Sequence, residues 1–390
     1  MTSTSASETR PSSRETRLGA LPGDRPWALR YTGGMLAAGL TALVFGLWLG
    51  DIWPPTYSRL VATDLFTAWG LPVSRLSVDL SAIGTIGMLT TCVLLPRDGG
   101  RLGDAARRCL RSATWLSLTW GVSMAALLVF TWSDVTAKPV GKLPYPELFD
   151  RTTALPEAVP YVFAAVLALV ISAAVTTTET PRGAALLLML SWYNLLPLTT
   201  QGHSDHSAVL AYAVSVHVMA LSLWVGGLVG LLIHARTSRE LLAVAVPRFS
   251  LLALACYVAV AGSGVVMAWV NLAKFAELWG SPYGLLVMCK LAALVGLGIF
   301  GWWHRQHTVR AVAGERGQRA FIQLAVAEIL IMAAAVALGV ALSRSSTPQT
   351  AEDALKGHAA EFQITPQKAG TKMPGHNVIA LRNAPEGNSY

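Results

Sequence analysis

Long apolar runs alternate along this chain with short polar segments rich in arginine. Nine runs stand out, at roughly residues 29–50, 76–95, 113–133, 159–176, 183–199, 208–233, 249–270, 284–303 and 321–342. Each approaches or exceeds the ~20 residues that carry a helix across a bilayer. Only helices and closed barrels satisfy the backbone in lipid. The runs lack the two-residue alternation of barrel strands. The pattern therefore predicts an all-α fold, a polytopic membrane helix bundle with about nine transmembrane helices. The polar segments predict its direction. With the N-terminus in the cytoplasm, eighteen arginines fall in cytoplasmic segments and six Lys or Arg in outer loops. That bias matches the positive-inside rule.

Four regions follow. Residues 1–28 read as a cytoplasmic disordered N-terminus, 29–200 as transmembrane helices one to five, 201–345 as a second transmembrane region with helices six to nine, and 346–390 as an extracytoplasmic disordered tail. The expected location is the plasma (inner) membrane, multi-pass, with the C-terminus extracytoplasmic. Two outer loops are long, Asp51–Arg75 and Thr136–Pro160. The first holds an amphipathic-looking run, RLVATDLFTAWGLP, the second is rich in proline, and both are expected to lie on the membrane surface.

Composition agrees with lipid as the solvent. The chain is 53% hydrophobic and 13% charged, with mean hydropathy +0.49, where soluble domains carry about 25% charge. The net charge of +8 lies in short loops between apolar runs, so topology explains it and no nucleic-acid partner is expected. Cys92, Cys109, Cys256 and Cys289 show no CxxC spacing, which speaks against a disulfide framework. Residues 1–28 are too polar for a signal-peptide core, so the first apolar run is expected to stay as an anchor. No GxxxxGK[ST] run supports a primary pump.

Candidate chemistry concentrates near Thr199–Ile233. His203 and His206 stand in a short polar run just before the sixth apolar run, and His217 lies within that run. Three apart, His203 and His206 share a face if helical, and they are placed to collect an ion first. Polar groups inside lipid are costly and mark function by default. Asp79, Asn194, His217, Lys290 and Glu328 are such groups. Met267, Met288 and Cys289 fall at similar expected depth. Thioether and thiolate favour Cu(I), and imidazole also accepts copper. A metal site from His217 with Met267 and either Met288 or Cys289 is chemically sound. Each sulfur also reads as ordinary packing, and Lys290 and Glu328 also read as a pair between neighbouring helices. The small-residue runs VGGLVG and AGSGVV suit close helix packing.

Several segments together resemble the CopD family of bacterial copper-resistance membrane proteins. They are GHSDHSAVLAYAVSVHVMALSLWVGGL, PRFSLLALACYVAVAGSGVVMAWV, SPYGLLVMCKLAALVGLG and the AEIL run around Glu328. The resemblance spans about residues 200–345. Upstream, AWGLPVSRLSVDLSAIGTIGML is similar to the N-terminal part of longer actinobacterial members, in which a domain of the CtaG type often follows. That domain is expected to be absent here. The resemblance implies copper uptake or homeostasis at the plasma membrane. It points to His203, His217, Lys290 and Glu328, whereas His206 and the sulfurs rest on spacing.

The expected function is capture of copper ion at the outer face and its passage into or across the membrane, without enzymatic chemistry. The bilayer is one partner, and an extracytoplasmic copper carrier or an oxidase assembly factor is the kind of protein partner expected. Two alternatives stand beside it. A haem-b-type membrane oxidoreductase needs axial ligands on facing helices, and His217 is the clearest histidine within a run, so haem is a poor fit. The other is an assembly subunit of a respiratory complex.

Overall fold

The computed structural model describes residues 24–49, 64–98, 100–146, 158–200, 208–236, 238–272, 275–303, 306 and 315–344. His203, His206 and the tail from Ser345 lie outside the described residues. Nine helices of at least 19 residues occur among them: α1 (Asp24–Leu49), α2 (Leu65–Leu94), α3 (Asp104–Thr136), α4 (Ala158–Thr176), α5 (Pro181–Thr200), α6 (Ala208–His234), α7 (Arg239–Asn271), α8 (Pro282–Trp303) and α9 (Glu315–Arg344). Seven of them, α2, α3, α4 and α6 to α9, are long and apolar enough to cross a membrane. In α1 the described stretch Ala37–Leu49 is a shorter apolar helix. The chain is an all-α, multi-pass membrane bundle. A two-residue antiparallel ribbon, Arg97–Asp98 with Arg101–Leu102, joins α2 to α3. Gly100 turns it at φ +84°, where glycine is preferred.

Each expected run corresponds to one helix, but several helices extend beyond their run. α2 begins at Leu65, so the second half of the loop expected on the membrane surface is helical. The reason is packing on α3. Thr67 bonds the Ser133 hydroxyl, the Gly70 backbone meets the Phe130 ring, and Thr67, Ala68 and Pro72 are buried.

α2 is the centre of the bundle, with 72% of its apolar window buried, against 17% for α7 and α8. Its pairing with α3 is antiparallel, since Thr67 meets Ser133 while Ser77 and Ser123 hydroxyls lie 2.7 Å apart. Its pairing with α6 is parallel, since Gly87 meets Gly226 and Thr91 meets Gly230, four residues on in each. The Gly87 and Gly226 backbones touch directly. Thr91 Oγ1 hydrogen-bonds the Gly87 carbonyl at 2.9 Å and the Gly227 carbonyl at 3.3 Å. VGGLVG is thus a packing device, as small residues in membrane helices usually are. AGSGVV differs, because a Cβ on Gly262 would meet nothing within 4 Å. α7 runs antiparallel to α6, fixed by Phe249 under Gly227 and by the edge-to-face pair Trp224–Tyr257 at 5.6 Å. α9 packs against α1, where Gly46 sits beneath Ala341 and Leu338.

Candidate intramembrane metal site

On α6, His217 shares a stripe with Trp224 and Gly227, which already face α7. Its imidazole follows that stripe and meets Ser263 of α7, with Nδ1 and Oγ 3.0 Å apart. Ser263 Oγ also lies 2.6 Å from the Ala259 carbonyl. A hydroxyl has one proton to give. Donated to Ala259, it leaves Ser263 to accept from His217 Nδ1–H. The Val260 carbonyl also lies within hydrogen-bond reach of the His217 ring. With Nδ1–H as the donor, the lone pair of that tautomer is on Nε2. This is how metal-ligating histidines are held, with the non-ligating ring N–H donated to a fixed acceptor. Gly264 lies beside the ring, where a Cβ would come 3.8 Å from the imidazole Cε1. Met267 is one turn from Ser263 on the same face of α7, with buried Val260 completing that stripe.

Lys290 enters from α8. It shares a stripe with Tyr283, Leu286 and Leu297, all buried, so its side chain points into the bundle. The ammonium reaches α9, 3.6 Å from the position a Cβ on Gly339 would take. It interacts electrostatically with Asp79 of α2 and with His217. Asp79 also pairs with Arg75 one turn away, at 3.5 Å. Counting back from the Gly87–Gly226 contact, Asp79 stands level with His217 and Val218. Asp79, His217, Ser263, Met267 and Lys290 thus form one polar layer inside the bundle, drawn from four helices.

Other expected site residues fall elsewhere. Met288 is half-buried and stands about 200° around α8 from Lys290, on the stripe of Val295 and Ile299. Cys289 is about a quarter turn from Lys290 around the helix, and only partly buried. Glu328 is buried, at 5% exposure, but does not pair with Lys290. Gly339, where the ammonium sits, is eleven residues from Glu328, about 16 Å of helix rise. Asp79 takes the place expected of Glu328, because α2 occupies the middle of the bundle. Asn194 is fully buried and ties α5 to α4 by donating to the Ala164 carbonyl at 3.2 Å. Ser263 and Arg75 were not among the expected site residues. In sequence Ser263 belongs to the small-residue run AGSGVV, and only its position opposite His217 distinguishes it. Among the described residues, no three His, Cys, Asp or Glu side chains gather closely enough to hold a metal ion. A copper ion in the polar layer would therefore depend on His217 Nε2 and thioether sulfur.

Residues 243–342 match the family model described as copper resistance protein D, CopD. Over that C-terminal stretch the chain is similar to CopD. No curated protein and no solved structure matches the chain. The CopD match covers most of α7, all of α8 and most of α9, and so includes Ser263, Met267, Lys290 and Glu328. Asp79 and His217 lie outside it. The polar layer is thus shared between the CopD region and helices that precede it.

Proposed function

We propose that this CopD-type protein captures copper at the outer face of the plasma membrane and passes it into or across the bilayer. The observation that supports the reading is His217, an intramembrane imidazole whose Nδ1 lies 3.0 Å from the Ser263 hydroxyl, and Nε2 is its proposed metal-binding atom. Met267 supplies a soft sulfur one turn away, suited to Cu(I). His203 and His206 precede α6 in sequence and are proposed to collect the ion at the outer surface. The arginine bias supports an N-terminus in the cytoplasm and a C-terminus outside. An extracytoplasmic copper carrier or an oxidase assembly factor is the proposed partner, and the role is transfer rather than catalysis.

The test is copper bound per mole of detergent-purified protein, wild type against His217→Ala, with copper accumulation measured in cells. The expected result is loss of one bound equivalent and loss of copper-dependent growth or accumulation in His217→Ala. His203→Ala and His206→Ala are expected chiefly to raise the copper concentration required. Unchanged binding and accumulation in His217→Ala would overturn the reading. A haem absorption band in the wild type would replace it with an oxidoreductase.

A further inference from the structure

The opposite end of α2 carries a second group of soft donors. Cys92 lies thirteen residues beyond Asp79, about 20 Å of helix rise. The antiparallel register of α2 and α3, set by Thr67–Ser133 and Ser77–Ser123, brings Cys92 level with Cys109. The two thiols are 1% and 0% exposed, and each is free rather than disulfide-bonded. They lie within electrostatic reach of each other, and Arg108 is within reach of Cys109. Met88, one turn before Cys92 on the same face of α2, is buried at 2% exposure and adds a thioether. On neighbouring α6, His234 Nε2 lies 3.1 Å from the hydroxyl of Ser112, one turn from Cys109, but does not join the two thiols in a three-ligand group. Arg248 reaches over from α7 to the Leu94 carbonyl at 3.1 Å.

We infer that Cys92 and Cys109 form a second copper site, a two-thiolate site for Cu(I) at the end of the bundle where α2 ends and α3 begins. A pair of thiolates completes the linear coordination that Cu(I) accepts, so three ligands are not needed. Soft sulfur also selects Cu(I) over harder divalent ions. Binding converts two thiols to thiolates and releases their two protons to solvent. The complex carries one net negative charge, which Arg108 offsets. Cys92 stands two residues before the end of α2, and Cys109 in the second turn of α3, so the membrane face at that end of the bundle is the nearer one. In the proposed orientation that face is cytoplasmic, where thiols stay reduced. The site deepens the copper reading by giving the ion a place to leave from.

The experiment is titration of reduced, detergent-purified full-length protein with Cu(I) held by a chromophoric chelator, followed by bound stoichiometry and by ultraviolet absorption. Thiolate bound to Cu(I) gives a charge-transfer band that imidazole and thioether do not. The wild type is expected to show that band. Cys92→Ala and Cys109→Ala should each lose it together with one equivalent, or weaken that equivalent at least tenfold. Cys256→Ala, a buried cysteine on α7, should keep it, and His217→Ala should keep it while losing a different equivalent. The two sites therefore fail separately: loss in the cysteine variants without loss in His217→Ala would uphold this site and sink the His217 reading. A wild type without the band overturns the inference whatever the variants do. So does retention of the band and full stoichiometry in Cys92→Ala and Cys109→Ala, which would leave the pair as core packing only.

Discussion

In the proposed copper site, Ser263 acts only through His217. Its hydroxyl holds the imidazole by accepting from Nδ1, and Ala259 fixes the direction of that hydroxyl. Ser263→Ala removes the acceptor and frees the ring to rotate and change tautomer. Copper affinity is expected to fall 10- to 100-fold, the usual effect of losing such a partner. Ser263→Thr, which keeps the hydroxyl, should restore it. Competition titration of the three proteins decides the matter, and equal affinities would mean that Ser263 does not orient the ring. Lys290 and Asp79 make a second expectation at this scale. A charge left alone inside the bundle costs more than a neutralised pair. Lys290→Met and Asp79→Asn should each lower the melting temperature in detergent, and the double variant should recover part of the loss. Additive losses would show that the two charges act independently. The same cycle made with Glu328→Gln in place of Asp79→Asn should show no coupling, since Lys290 lies three turns from Glu328.

Helix pairing rests on backbone contact where glycines face each other. A Cβ on Gly226 would run into the Ile83 carbonyl and the Gly87 backbone, and neither can move as a side chain end can. Gly226→Val is therefore expected to destabilise the bundle by about 3 kcal/mol, the upper part of the range for overpacking. Gly262→Ala is the matched control, because its Cβ would enter open space. It should leave the melting temperature within a degree or two. Equal effects at the two sites would mean that the α2–α6 contact does not hold the bundle together. α2 is suited to this central role by its sequence. Ser77, Ser81, Thr85, Thr90 and Thr91 line it, and each hydroxyl finds a partner on its own helix or a neighbour. Small hydroxylated residues let other helices approach closely without leaving polar atoms unpaired.

At the scale of the whole molecule, two polar centres stand about 20 Å apart along α2. One is the layer around His217, shared between the CopD region and earlier helices, and the other is the Cys92–Cys109 pair. Their order across the membrane depends on orientation, which the arginine bias supports. Ser204→Cys, placed before α6, should react with an impermeant thiol reagent added outside intact cells. Labelling only after the cytoplasmic face is opened would reverse the orientation and make the cysteine pair the entry site. Hydropathy located the nine long helices, seven of which are long and apolar enough to cross a membrane among the described residues, and it singled out the buried charges. A window of about 20 apolar residues is a local property, and lipid rewards it wherever it occurs. Rotation and lateral contact are different in kind. Lipid tails are as apolar as the bundle interior, so an apolar stripe does not say whether it faces lipid or protein. That is why Met288, close in sequence to Cys289 and Lys290, reads as a ligand although it stands on the far side of α8 from Lys290. It is also why Glu328 suggested itself as the partner of Lys290, when the nearer carboxylate belongs to α2, more than two hundred residues earlier. Backbone contact at Gly87 and Gly226 sets the height of α2 against α6, and that height brings Asp79 level with His217.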